Sequence, residues 1–443
     1  MENHYSSRKA YGLLCFLTLL NVINFVDRQL IVYLAPLLRA ELGLSLAKIA
    51  LLYGYIFLAF YTLMGMVLGN AADRMNRPRL MAGGLALWSA LTAASGAAQN
   101  FLHLTLARLL VGVGEATLTP AAVSLLSDVM PPKKRAFASG FYYAGVPLGS
   151  GASMLIAGYI APRYGWRACF YVLGILGLFL VPLVLMIRNP QRGQAEAAER
   201  TESLVKDEAK DKAKDELTTR EIYRELFQTL WRVPALPLAI LAGVIVNFAL
   251  SAASMVLTWL NLERGFTYQQ AAFTNGCIFT VAGMLGTILG GTVSDWFHRR
   301  WVGGRMWFLV AKGLCFMPFT LLFYSLSTET PFYLFYVCWF FSSLGSTTWY
   351  GPVFATVQDL TPARIRSTAV AFLLLVINLL GTGLGPLVSG AIGDRVSLWR
   401  GLLICACIGF TAIIPAFFAA RRYGIDLARV RQGGELIMTG GVT

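Results

Sequence analysis

Apolar stretches of about twenty residues recur along the whole chain, and they restrict its fold more than any other feature. A backbone surrounded by hydrocarbon must satisfy every N–H and C=O internally, so only helices and closed barrels can span a membrane. Barrel strands alternate apolar and polar residues. These runs are continuous, so they are read as helices. At 1.5 Å per residue, about 20 residues cross a hydrocarbon core of about 30 Å. Such segments lie at residues 10–38, 46–70, 80–99, 102–128, 136–161 and 166–188, then at 234–260, 269–293, 305–327, 331–357, 367–392 and 398–420. The expectation is an all-α membrane protein of twelve transmembrane helices. Composition agrees: 56% of the 443 residues are hydrophobic and only 14% charged, against about 25% charged in a soluble domain.

Charge placement gives the orientation. If the N-terminus is cytoplasmic, inner segments hold 27 of the 37 Lys and Arg residues and outer loops hold seven. By the positive-inside rule both termini are then cytoplasmic. Arg28, Arg108 and Lys312 remain inside spans, the last placed to snorkel to the inner interface. The net charge of +14 falls between apolar runs, so it suits anionic headgroups and not nucleic acid. No Asn-x-Ser/Thr sequon occurs, which suits a bacterial or an intracellular membrane, and a bacterial inner membrane is the expected location. The seven cysteines are odd in number, lack zinc spacing and are read as packing residues. The three histidines are far apart, so no metal or other cofactor is expected, and the Gly112-Val-Gly114 run lacks the strand and loop of a nucleotide site. No enzyme reading survives.

The chain repeats itself. Gly69–Asp73–Arg74 recurs at Gly291–Asp295, and Pro120, Pro131, Arg135 and Gly158 find counterparts at Pro352, Pro362, Arg366 and Gly390. The organisation expected is a six-helix bundle over residues 1–190, a charged linker at 191–216, and a second part at 217–443. That second part holds an amphipathic helix opened by a Thr218-x-x-Glu221 capping box, a second six-helix bundle and a tail.

Gly69-x-x-x-Asp73-Arg74-x-x-Arg77-Pro-Arg79 and Arg108-x-x-x-Gly112-x-Gly114 resemble signatures of the major facilitator superfamily. Within it, Asn24-Phe-Val-Asp27-Arg28, Arg108 through Glu115 and Gly145-Val-Pro-Leu-Gly149-Ser-Gly151 resemble the spinster family, whose members carry sphingosine phosphate or lysophospholipids. The resemblance implies the major facilitator fold, a substrate cavity between the halves, and an inner gate using Asp73, Arg74, Arg77, Asp128 and Asp295. Asp128 is placed to pair with Arg74 or Arg77, and Asp73 to meet the start of span eleven near Arg366. Gly381-x-x-x-Gly385-Pro386 has a plainer physical reading, with glycines letting helices approach and the proline bending the span.

Few ionisable residues lie deep. Asp27, Arg28, Arg108 and Glu115 do, all in the first half. A charge at mid-membrane costs about 2.5–3.5 kcal/mol even on an insertion scale, so each needs a partner or a function. Burial disfavours a carboxylate's charge and a nearby guanidinium favours it, so a change of access can load or release a proton. Asp27 and Glu115 are therefore candidate proton-coupling acids. The rival reading is a permanent Asp27–Arg108 or Arg28–Glu115 tie between spans one and four. Arg28 and Arg108 also suit a phosphate or carboxylate headgroup. The second half offers Asn247, Ser251, Thr347, Trp349 and Asn378 as substrate contacts, against the commoner role of Ser and Thr in spans as helix-packing residues. The reading is a monomeric, proton-coupled transporter working by alternating access among membrane lipids, exporting an amphiphilic lipid of lysophospholipid or sphingoid type. A small organic-anion importer and a non-transporting receptor or scaffold are the alternatives.

Overall fold

The computed structural model describes residues 7–131, 134–190, 219–326, 331–362 and 365–439. Among these residues every regular element is helical. In order they are α1 (Ser7–Tyr33), α2 (Ala35–Leu42), α3 (Leu46–Leu51), a π-helical turn (Leu52–Ile56), α4 (Phe57–Arg74), α5 (Arg77–Gly96), α6 (Phe101–Glu115), α7 (Leu118–Val129), α8 (Arg135–Tyr143) and α9 (Gly145–Leu185). Then follow α10 (Thr219–Arg232), α11 (Ala235–Ala252), a 3-10 turn (Ala253–Met255), α12 (Val256–Glu263), α13 (Tyr268–Arg300), α14 (Gly304–Ser325), α15 (Phe332–Thr347) and α16 (Tyr350–Asp359). The last are α17 (Arg366–Val376), a second π-helical turn (Ile377–Thr382), α18 (Leu384–Arg395), α19 (Leu398–Phe410) and α20 (Ile413–Thr439).

Helix covers each of the twelve expected segments, and nine helical stretches among the described residues are long and apolar enough to cross a membrane. One of them, Ala138–Leu185, has 48 residues. At 1.5 Å each it is about 72 Å long, room for two crossings. Gly165, at φ 79° and ψ 164°, bends it there, in a region that only glycine occupies without strain. Near this bend Glu41 accepts from Trp166 Nε1 at 2.6 Å and pairs with Arg167, whose Nη2 also donates to Ala98 O at 3.1 Å. The Trp166 hydrogen bond and then the Arg167 guanidinium hold the Glu41 carboxyl below its ordinary range.

Several expected spans are broken, not continuous, and proline is the reason. Proline has no N–H, so the carbonyl four residues earlier loses its helical partner. Breaks between α6 and α7, α8 and α9, α15 and α16, the second π turn and α18, and α19 and α20 precede Pro120, Pro147, Pro352, Pro386 and Pro415. These interruptions free backbone groups at mid-helix depth.

Packing divides the chain into two compact units, Met1–Lys214 with Leu260–Cys277, and Asp215–Trp259 with Ile278–Thr443. The first has a core that includes Leu14, Leu17, Phe57, Trp88, Val111 and Tyr142. The second is built around Leu236, Ala239, Met306, Trp349, Val353 and Ala416. In the first unit α5 packs on α6 and α9, and α1 on α9. In the second, α11 packs on α20 and on the π turn, and α14 on α15. The amphipathic helix is α10, with Leu226 buried in the second core and Ile222 and Leu230 beside it. Thr218 and the linker 191–216 lie outside the described residues.

Glycine sets the closest approaches. A Cβ on Gly112 would stand 2.9 Å from Phe57 O, and one on Gly114 2.8 Å from Gly84 O. The Gly112-x-Gly114 pattern therefore lets α6 lie against the backbones of α4 and α5. Valine at Gly114 should cost at least the 1–3 kcal/mol typical of overpacking, read as a melting temperature lowered by several degrees. Gly83→Ala, which meets nothing within 4 Å, should leave it unchanged.

Candidate functional site

Two elements of the first unit bring the deep charges together. Helix α6 begins where Asn100 Oδ1 caps the His103 N–H at 2.9 Å, runs through Arg108, and stops at Glu115. Pro120 denies the Ala116 carbonyl a helical donor, and Thr117 Oγ1 turns back to Gly114 O at 2.9 Å. Glu115 thus sits at a break, not inside a continuous helix. Helix α1 supplies Asp27 and Arg28. It is held to α8 and α9 by Asn21 Nδ2 donating to Tyr142 O at 2.8 Å and by Ser153 Oγ donating to Val26 O at 2.8 Å. A Cβ on Gly149 would collide with Val22 O at 2.5 Å, which accounts physically for the glycines in the 145–151 run.

The four groups form two pairs. Arg108 Nη2 meets Asp27 Oδ1 at 3.4 Å and its Nη1 donates to the Asp27 carbonyl at 3.3 Å, while Thr92 Oγ1 donates to Asp27 Oδ2 at 2.6 Å. Arg28 donates from Nε at 3.2 Å and from Nη2 at 3.0 Å to one oxygen of Glu115, Oε2. The other oxygen, Oε1, is buried with no hydrogen-bond partner. Side chains of Asp27, Arg108 and Glu115 are 3%, 1% and 0% exposed, whereas Arg28 keeps 14%. Rings surround Arg28: its Cζ lies 4.7, 4.8 and 4.4 Å from the centroids of Phe25, Phe57 and Tyr61. Arg108 lies over Phe170 at 5.2 Å. Both pairings considered from sequence are present at once. With every group ionised, two acids balance two guanidinium ions.

Arg77 forms a separate clasp. Asn76 caps the start of α5 through the Arg79 N–H at 3.2 Å, which places Arg77 in its first turn. The buried guanidinium pairs with Asp128 at the end of α7 and donates to Ser124 Oγ at 3.0 Å, Asn189 Oδ1 at 2.9 Å and Pro190 O at 2.7 Å. Arg77 is thus one of the two partners considered for Asp128. The side chains of Asp73, Arg74 and Arg135 lie outside the described residues. In the second unit Arg305, in the first turn of α14, meets Asp295 Oδ1 at 3.0 Å and also pairs with Asp359 at the end of α16. Tyr423 Oη donates to Asp359 Oδ2 at 2.8 Å. Sequence reasoning named Asp295 but missed Arg305 and Asp359. The internal repeat held the signal, since it carries Arg77 and Asp128 onto them.

Three of the second unit's polar candidates are engaged by neighbouring helices. Asn247 Nδ2 donates to Ile377 O at 3.3 Å and Thr382 Oγ1 at 2.9 Å, and Ser251 Oγ to Gly381 O at 2.9 Å and Phe248 O at 2.9 Å. Thr347 Oγ1 donates to Gly283 O and Leu344 O, both at 3.2 Å. Trp349 is fully buried, with its Nε1 unpaired, and Asn378 is half-buried. In this structure Asn247, Ser251 and Thr347 bind helices to one another, the packing role left open above. Cβ atoms on Gly381 and Gly385 would strike Asn247 and Ser251, so these glycines serve the same contact. Lys312, expected to snorkel, donates from Nζ to Gly345 O at 3.2 Å.

Comparison with known proteins identifies this architecture. Residues 17–379 match the family model of the Major Facilitator Superfamily. The chain is 28% identical to an MFS-type efflux pump of Mycolicibacterium smegmatis, over 96% of each chain. It is 28% identical to a probable L-galactonate transporter of Escherichia coli, over 90% of this chain and 87% of the other. Protein spinster of Drosophila melanogaster is 27% identical over 86% of this chain and 61% of its own. A crystal structure of a bacterial homologue of the human lysosomal transporter Spinster, inward-facing and unoccupied, superposes with a TM-score of 0.77 at 23% identity, over 96% of this chain and 98% of that one. The match therefore carries the transporter reading over the enzyme one, and with it the spinster resemblance seen in the motifs. This chain belongs to the Major Facilitator Superfamily of membrane transporters.

Proposed function

We propose that the protein is a proton-coupled transporter that moves an anionic amphiphile of the lysophospholipid or sphingoid type by alternating access, in the export direction. Asp27 and Glu115 are its coupling acids, and Arg28 and Arg108 the cations that exchange them for a substrate headgroup. The observation that carries this reading is the unequal state of the two buried carboxylates. Both Asp27 oxygens are engaged, one by Arg108 and one by Thr92, whereas Glu115 Oε1 has no partner. A bare buried carboxylate oxygen is costly, and a proton there removes the charge that makes it so.

Protonated Glu115 no longer holds Arg28 by charge. Arg28 is the more exposed guanidinium, caged by three rings, so it can take a phosphate or carboxylate oxygen while its aromatic neighbours face apolar substrate. Anion binding favours the protonated acid and loss of the proton expels the anion, so proton and anion travel together and export runs down the amphiphile's own outward gradient. The Asp27–Arg108–Thr92 arrangement keeps α1 against α6 during this step and opens when Asp27 takes up its own proton. Support for a lipid comes from the spinster resemblance and from the ring-lined cation; support for export comes from similarity to an efflux pump. The first and second halves, residues 1–190 and 217–443, would rock as a monomer in a bacterial inner membrane with both termini cytoplasmic. Arg77–Asp128 and Arg305–Asp359 would brace the inner end of each half, with Asp73, Arg74 and Asp295 in the gate. A small organic anion is the second reading, favoured by similarity to the L-galactonate transporter.

Reconstituted flux separates these readings. With an imposed pH gradient, wild type should move lysophospholipid and leave galactonate behind; the reverse preference would reject the lipid assignment. Glu115→Gln should lose at least 100-fold of gradient-driven flux, and Asp27→Asn a similar factor, while both remain folded. Gradient-driven flux unchanged in both variants would defeat the coupling role. Arg28→Gln should abolish headgroup-dependent transport, whereas Arg305→Gln should slow turnover without altering substrate affinity.

A further inference from the structure

The second unit contains a cavity of its own, lined by α11, α14, α15, α19 and the start of α20. Its volume is about 100 Å3, roughly three times a water's share of the liquid. Most of the wall is apolar, including Val246, Leu250, Leu309, Phe316, Phe410 and Ile413. Against that wall stands one cation, Lys312. Among the described residues its Nζ has a single partner, the Gly345 carbonyl at 3.2 Å, and no carboxylate lies within ion-pair reach. A neutral carbonyl does not balance an ammonium in a low-dielectric setting, so the site carries an uncompensated positive charge. Two hydroxyls, Thr320 and Ser342, share a hydrogen bond of 2.9 Å on the same wall. Lys312, Phe316 and Thr320 fall at four-residue intervals along one face of α14. Gly345 makes the approach possible, since a Cβ there would stand 2.4 Å from the Phe316 ring. Lys312, Phe316, Thr320 and Ser342 are only half-buried, so the cavity is open along one side.

We propose that this cavity binds the head of a single-chain anionic amphiphile, a carboxylate on an aliphatic chain, with Lys312 as its counter-ion. One ammonium is the counter-ion for one carboxylate. The apolar lining takes the first methylenes, at about 0.8 kcal/mol for each one buried, and the open side lets the chain continue outward. The site lies wholly within the second unit and shares no residue with the Asp27, Arg28, Arg108 and Glu115 cluster. It stands whether or not such a compound is transported.

A photoactivatable palmitic acid analogue, cross-linked to the full chain in neutral detergent and mapped by peptide mass spectrometry, tests the proposal. Wild type should label saturably on α11, α14 or α15, and Lys312→Met should lower that labelling at least ten-fold, with Lys312→Arg retaining it. Val246→Phe fills the cavity without removing the charge and should also lower labelling, so a fold defect peculiar to Lys312→Met does not decide the outcome. The analogue with an alcohol head should label weakly. Undiminished labelling of both Lys312→Met and Val246→Phe would overturn the proposal. So would labelling confined to the first unit, or competition by acetate as effective as that by palmitate.

Discussion

Two guanidinium–carboxylate pairs held inside an apolar helical unit are the constraint that organises this protein. Four ionised side chains at mid-membrane depth, each costing about 2.5–3.5 kcal/mol unpaired, would together rival the 5–15 kcal/mol that stabilises a typical fold. They can be kept only if α1 and α6 approach closely enough for Asp27 to reach Arg108 and Arg28 to reach Glu115. Glycines meet that requirement. Gly149 seats α1 on α9, and Gly112 and Gly114 seat α6 on α4 and α5, leaving less than a methyl group's width at each contact. The aromatic cage around Arg28 adds cation–π attraction that strengthens as water is excluded.

The same scaffold is built twice, and the duplication separates structural devices from functional ones. Asn21 donates to the Tyr142 carbonyl in one unit, and Asn247 to the Ile377 carbonyl in the other. Arg77 pairs with Asp128, and Arg305 with Asp359. Pro120 and Pro352 each follow a helix break. Features present in both units belong to the fold. The deep carboxylates have no counterpart among the second unit's candidates, which hold helices together instead, so the charge cluster answers to a task that packing does not impose. Lys312 is asymmetric in the opposite sense, a cation in the second unit without a carboxylate.

Much of this was legible in the sequence because hydrocarbon allows so few solutions. Long uncharged runs had to be helices, and every expected segment falls on helix. Asp27, Arg28, Arg108 and Glu115 stood out because charge is so costly there, and the structure gathers all four. Both pairings were among the readings of the sequence, but that both form at once was not legible: it depends on the rotation of α1 about its axis, which no spacing along one chain encodes. The helix breaks were written in Pro120, Pro147, Pro352, Pro386 and Pro415, but hydropathy averages over a twenty-residue window and passes across them. The roles of Asn247, Ser251 and Thr347 stayed open for a related reason. A polar residue in an apolar helix needs a partner, and sequence does not say whether that partner is cargo or the backbone of the next helix. Arg305 needed the internal repeat to be followed one step further.

The central claim is that an anionic headgroup and a proton bind together to one balanced set of charges in the first unit, the anion on a guanidinium and the proton on the carboxylate it releases. Calorimetric titration of lysophospholipid into the purified protein, repeated in buffers of different ionisation enthalpy, measures the protons exchanged on binding. The account predicts uptake of about one proton per headgroup bound at neutral pH, since the anion takes a guanidinium from a carboxylate that must then be neutralised. Saturable binding with the same heat in every buffer, and so with no proton exchanged, would contradict it.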